Sequence, residues 1–266
     1  MRPTKTSSGN ILVILLVIVV LVIALGVIAF KVILPKFTSQ FGSQVASQAV
    51  QMAVDQIKKM DFSKAETVEI NQLLPNPKLS LVSVGFNQGK LTIDGATSDN
   101  AITGEIKYLG QKPQIATGQL KGLDAVTIQS SDQMGEDTTI HLPTNQPLNL
   151  QVGIGLAIAT IDLRSLTINE ASIAAGAGEI TVVVPQNTSS TLSLAAGAGT
   201  LKVGTHKENG IKVTAVAGTP WNNLELDQDR YTKIDGGFKS ANYETAAVKT
   251  DITVGQTGNF LIGDLK

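Results

Sequence analysis

The side chains that could do chemistry are few and scattered. The two histidines, His141 and His206, stand in separate segments, and the chain has no cysteine. A zinc centre needs three or four nitrogen or sulfur ligands at short, regular spacing, and neither histidine has such company. Asp227-Gln-Asp229 with Asp235-Gly236 has the composition of a calcium loop. Its spacing is wrong, however, and the bidentate glutamate is missing, so a surface turn is expected. Gly-Ala-Gly at 176–178 and 197–199 lacks the third glycine and the following helix of a dinucleotide-binding loop. No Gly-x-Ser-x-Gly elbow occurs. Between Asn149 and Thr205 the only charges are Asp162, Arg164, Glu170, Glu179 and Lys202, too sparse for a polysaccharide-cleaving face. Asn187-Thr-Ser189 matches a glycosylation pattern that matters only in a eukaryotic secretory route. The sequence therefore nominates no catalytic residue, no cofactor site and no metal site, and the chain reads as a non-enzyme.

The elements that would have to position any site begin with Ile11 to Phe30, a run of twenty uncharged, mostly apolar residues. At about 1.5 Å per residue this run matches the hydrocarbon core of a bilayer. It is longer than a signal-peptide core, and no small-x-small cleavage site follows in Lys31-Val-Ile-Leu-Pro-Lys36. An uncleaved transmembrane anchor over 11–34 is expected, preceded by a short tail at 1–10. Arg2 and Lys5 lean the orientation towards a cytoplasmic N-terminus and an exported remainder.

Beyond the anchor the composition changes. Net charge is −1 with no basic block, which argues against nucleic acid as a partner. Aromatic residues make up only 4%, so a core of large side chains is excluded in favour of repetitive β-structure with small interior residues. Residues 37–60 carry apolar positions three to five apart (Phe41, Val45, Ala49, Val50, Val54, Ile57), the pattern of a stalk helix with one modest apolar face. That helix leans on the β-domain or continues the anchor; self-association through it is the sharper alternative. Asn71 to Pro77 reads as a boundary. Short alternating segments follow at 78–84, 90–94, 105–108, 125–129 and 138–142, with Asn87-Gln-Gly89 and Asp94-Gly95 as turn chemistry between them.

The clearest pattern is a repeat. Ile173-Ala-Ala-Gly-Ala-Gly-Glu-Ile-Thr-Val182 recurs 21 residues later as Leu194-Ala-Ala-Gly-Ala-Gly-Thr-Leu-Lys-Val203. A looser copy, Val152-Gly-Ile-Gly-Leu156, lies 23 residues upstream, and Val216-Ala-Gly218 falls 21 residues beyond Gly197. A fixed period near twenty with strand-like content predicts a β-solenoid whose coils stack to bury a shared core. The glycines permit sharp corners, and the alanines let coils approach closely. Ile180, Val182, Val184, Leu201 and Val203 should form inward ladders, with Thr181 and Lys202 facing water.

With Pro147-Leu-Asn-Leu-Gln-Val-Gly-Ile-Gly155, Ile161-Asp-Leu-Arg-Ser-Leu-Thr-Ile168 and Ala175-Gly-Ala-Gly-Glu-Ile-Thr-Val-Val-Val-Pro185 in this order, the chain resembles the toast-rack domain. That is a small β-solenoid of bacterial membrane proteins that include the LiaF envelope-stress regulators. Gly104-Glu-Ile-Lys-Tyr108 and Lys112-Pro-Gln-Ile115 resemble its early part, and the likeness covers roughly 79 to 218. Two departures stand out: one membrane segment where LiaF-like proteins carry several, and Ile140-His141 where a tryptophan usually precedes the Leu-Pro turn. The resemblance implies a β-solenoid and no catalytic residues.

The expected architecture is thus mainly β: an anchor, a stalk helix, a toast-rack-like β-solenoid over 70–220, and further coils or a cap over 221–266. The last part holds Asn223-Leu-Glu-Leu-Asp227, Asp251-Ile-Thr-Val-Gly255 and Asn259-Phe-Leu-Ile-Gly263. It also gathers Trp221, Tyr231, Phe238 and Tyr243, read as packing at a solenoid end, with a glycan-stacking face as the alternative. The expected role is a single-pass, extracytoplasmic binding or scaffold module at a bacterial envelope, possessing no cofactor. Its expected partners are the lipid bilayer and an envelope membrane protein or a second copy of itself. The alternative is a surface structural or adhesive protein that assembles through solenoid ends or the stalk helix.

Overall fold

Alternation of apolar and polar residues forces most of this chain into strands that share one sheet. The computed structural model describes residues 43–75, 78–96, 100–120, 122–130, 135–216, 224–255 and 258–264. Tail 1–10 and anchor segment 11–34 lie outside the described residues. Among the described residues no helix is long and apolar enough to cross a membrane. The fold is mainly β; among the described residues one helix, α1 (Ser43–Lys58), precedes fifteen strands.

In chain order these are β1 (Glu66–Leu73), β2 (Ser80–Ala96), β3 (Ala101–Tyr108), β4 (Gln114–Leu120), β5 (Leu123–Gln129), β6 (Glu136–Pro143), β7 (Pro147–Asp162), β8 (Thr167–Val183) and β9 (Ser190–Thr205). The remainder are β10 (Gly210–Ala215), β11 (Leu224–Leu226), β12 (Tyr231–Ile234), β13 (Gly237–Ser240), β14 (Lys249–Val254) and β15 (Asn259–Asp264).

The repeating unit is a long strand bent at its middle. In β7 the buried positions are Leu148, Leu150, Val152 and Ile154, then Ala157, Ala159 and Ile161. The inward parity switches across Gly155-Leu156, so the corner turns both arms towards one core. β2, β8 and β9 repeat this design, and β5 with β6, β14 with β15, and β10 with β11 each supply the two arms of a further coil. Parallel pairing in register builds inward ladders through seven coils. One runs Val126–Val82–Leu150–Ala171–Leu192–Ile252–Val213 on the first arm. Another runs Ile140–Ile93–Ile161–Val182–Val203–Ile262–Leu226 on the second. Both arms feed a single apolar cluster. Apolar burial of this kind, at about 25 cal/mol per Å², holds stacked coils together. The ladders Ile180–Leu201 and Val182–Val203 are as the repeat predicts, with Lys202 exposed.

Three details differ from the sequence reading. First, 78–84, from Ser80 onward, and 90–94 lie in the two arms of β2, with Asn87-Gln-Gly89 as its corner rather than a hairpin turn. Parallel neighbours on both sides hold that backbone extended through the bend. Second, Gly176 stacks on Gly155, so the looser copy is offset by 21 residues, and Gly153 lies outside the column. Third, the coils do not stack in sequence order. β2 lies between β6 and β7, and the β14–β15 coil lies between β9 and β10. The neighbour of β9 is therefore 249–264, not the segment around Val216. Beyond the outermost coils, β3, β4 and β13 add antiparallel strands, followed by β1 and β12. Such antiparallel additions shield a stack from continuing indefinitely. β1 absorbs Asn71 to Leu73 and begins ahead of the expected boundary.

The apolar stripe of α1 places Val54 and Ile57 at 1% and 0% exposure. Lys58 Nζ donates to Glu179 Oε1 at 3.3 Å, which brings the helix end to the outer side of the second arm of β8. Met60 Sδ stands where a Cβ on Gly135 would come within 3.0 Å.

Candidate binding surface

Where the inward positions of the first arm stack as aliphatic ladders, the outward positions must stack too. The result is a polar row in which each side chain sits one strand from the next: Thr127, Ser83, Gln151, Ser172, Ser193, Thr253 and Thr214. Beside it runs Ala125, Leu81, Asn149, Glu170, Thr191, Asp251 and Lys212. Strand spacing puts neighbours in a row about 4.8 Å apart. A shallow depression of about 310 Å³ is lined by Leu81, Asn149, Gln151, Glu170, Thr191 and Ser193, among others. Among the described residues, the seven side chains of the first row have no hydrogen bond to another protein group. Asn149 Oδ1 accepts from Asn169 Nδ2 at 3.4 Å.

At the β10 end of this face, the Tyr243 hydroxyl donates to Asp251 Oδ1 at 2.5 Å, and Lys249 Nζ lies 5.4 Å from the ring centroid. Burial, then the Asp251 carboxylate, pushes the Tyr243 phenol up to about 12, so it stays a donor at physiological pH. The surface offers hydroxyls, amides and one phenol, with Glu170 as the charge in its middle. It can hold a polar ligand by hydrogen bonds.

The residues weighed from sequence fall elsewhere. His141 Nδ1 lies 2.5 Å from Asp94 Oδ1 at the end of the second arm. His206 follows β9, and burial holds its imidazole below the ordinary range, opposed by the Val184 backbone contact. They belong to different coils. Among the described residues no three His, Cys, Asp or Glu side chains are grouped to hold a metal. Asp227, Asp229 and Asp235 are exposed, and Asp227 Oδ1 accepts from Asp229 N at 3.1 Å in a turn. Arg164 clamps Asp162 through Nε at 2.9 Å to both carboxylate oxygens, which lowers the Asp162 carboxyl.

Of the four C-terminal aromatics, Tyr231 is 6% exposed and Phe238 packs against the core, while Trp221 lies outside the described residues. Only Tyr243 is placed beside the polar row. Arg230 ties the cap to the stack: it pairs with Asp264, donates to His206 O at 2.6 Å and to Thr205 Oγ1 at 3.1 Å, and lies 5.4 Å from the Tyr231 ring centroid. The polar row itself was not singled out from sequence. Its signal was present as Ser172 and Ser193 at equivalent repeat positions, but the other members come from coils joined out of order.

Comparison with solved structures finds the same fold in a candidate cell adhesion protein from Clostridium sporogenes, with a TM-score of 0.63 and 17% identity. The match covers 74% of this chain and 97% of that one. No curated protein sequence matches the chain. Residues 56–204, more than half of the 266, match the family described as the N-terminal domain of toast_rack, DUF2154, and the chain belongs to that family.

Proposed function

We propose that this chain is a non-enzymatic binding or scaffold module of the bacterial envelope. Its segment 11–34 tethers it in the membrane as a single-pass anchor, and the β-domain faces outward. The observation that carries this reading is the polar row on the first arm, exposed at Gln151, Ser172 and Ser193, whose side chains have no hydrogen bond to another protein group among the described residues. The toast-rack family and the twenty-residue apolar run support the setting, and an envelope-stress accessory that contacts a membrane partner is the specific role. Protease added to intact spheroplasts tests it. Digestion of the β-domain alongside an exported control is expected; survival of the β-domain while that control is cut overturns the orientation.

A second reading, a surface adhesive protein that self-assembles, draws on the similar structure being described as a candidate cell adhesion protein and on the exposed Met52 and Leu73, at 63% and 70%. Cross-linking in cells separates the two. A ladder of multiples of this chain favours self-assembly, and a single heterologous product favours the scaffold.

A further inference from the structure

We infer that the outer face of the first arm binds an uncharged, extended polysaccharide strand lying along the stack, across the β-strands. This rests on the reading above that the surface is a binding site, and it names the ligand class.

Five observations select that ligand. The row from Thr127 to Thr214 presents hydroxyl or amide groups at every strand, over six steps of about 4.8 Å, about 29 Å in all. A polymer engages such a row only if its own donors and acceptors recur at a similar interval, as they do along a chain of sugar rings. The groups are unengaged: Ser83, only 7% exposed, belongs to the row and has no protein partner among the described residues, and Ser172 and Ser193 are exposed.

Charge gives a polyanion no purchase in the middle of the face: Glu170 stands in the depression, so a phosphate- or carboxylate-rich polymer meets like charge there, and the cations Lys212 and Lys249 lie only at the β10 end, beside Asp251. Apolar content decides against a hydrophobic peptide, because only Leu81 and Ala125 in the two rows are aliphatic. Tyr243, next to Asp251, adds a partly exposed aromatic ring at one end, where a sugar's apolar face can stack.

The test uses the full chain in detergent micelles, titrated with a β-1,4-linked N-acetylglucosamine hexamer and, separately, with dextran sulfate. Saturable binding of the hexamer and none of the polyanion is expected. Ser172→Arg and Ser193→Arg, both at exposed outward positions, should each weaken hexamer binding about tenfold or more, a loss of about 1.4 kcal/mol. Thr160→Arg on the outer side of the second arm should leave it unchanged. Unaltered melting temperatures show that the variants fold. Absence of saturable hexamer binding, preference for dextran sulfate, or full binding by both serine variants overturns the inference. Should binding fail while the β-domain is digested in spheroplasts, the ligand class falls and the exported scaffold stands; a β-domain protected there removes the exported scaffold whatever the hexamer does.

Discussion

At the scale of single residues, the corners and one half-buried imidazole govern the fold's tolerance. The glycines of the repeated Gly-Ala-Gly have separate duties. Gly178 and Gly199 adopt φ of +130° and +97°, and a Cβ there would lie 1.9 Å from the Ala157 carbonyl oxygen and 2.1 Å from that of Gly178. Gly176 has no positive φ but lies so close to the coil below that a Cβ would come within 2.6 Å of the Gly155 oxygen. Gly153, two residues before Gly155 of the corner column, has nothing within 4 Å of a Cβ built on it. Gly178→Ala should therefore cost about 2–3 kcal/mol or more through backbone strain and clash. Gly153→Ala should stay within about 0.5 kcal/mol. Denaturant melts of the two variants check this, and equal losses would show that the corner column is not where the constraint lies.

His206 makes a pH prediction. Burial lowers its proton affinity in the folded state. Below the ordinary imidazole value near 6.5, the unfolded chain takes up a proton that the folded chain resists, so stability falls as pH drops from 7 towards 5. Above that range both states are neutral and the effect vanishes. His206→Asn should flatten the difference in melting temperature between pH 7 and pH 5, as scanning calorimetry would show.

At the scale of elements, the strands were legible and their order was not. Alternation in Lys90 to Asp94 or Thr138 to Leu142 marks an arm with one buried face, because a period of two in a half-buried strand admits no other orientation. Helix α1 was legible for the same kind of reason: Val50, Val54 and Ile57 lie on one stripe. What local pattern does not encode is which arm lies beside which. β2 and β14 both pair in parallel with strands distant in sequence, and nothing in Leu81 to Val84 distinguishes β7 from a nearer partner as its neighbour. β1 and β4 were missed because they are edge strands without a buried face to mark them: Glu66–Leu73 is mostly exposed, and Gln114–Leu120 alternates only between exposed and half-buried positions. The polar row shares this limit, since it exists only after the coils are stacked.

The observed order has a consequence. The coil 249–264 is an interior layer, bonded to β9 on one side and to β10 and β11 on the other. Truncation after Val248 should strip partners from both neighbours, leave Phe260's place in the core empty, and abolish cooperative unfolding of the β10–β13 segment. Coils stacked in sequence order would instead lose only an end layer and keep a sharp transition. Circular dichroism melts and limited proteolysis of the truncated chain distinguish the two.

At the scale of the whole molecule, the account joins a membrane segment to an exported, ligand-presenting β-domain. Its most direct test exploits the absence of cysteine from the chain. Thr160→Cys, at an exposed position on the second arm, and Ser7→Cys, in the N-terminal tail, are expressed separately and exposed in intact cells to a membrane-impermeant maleimide. Membranes are then washed in alkaline carbonate. The account predicts that the Thr160 variant is labelled, the Ser7 variant is labelled only after lysis, and both stay with the membrane pellet. Labelling of the Thr160 variant only after lysis, or release of either chain into the carbonate wash, would contradict it.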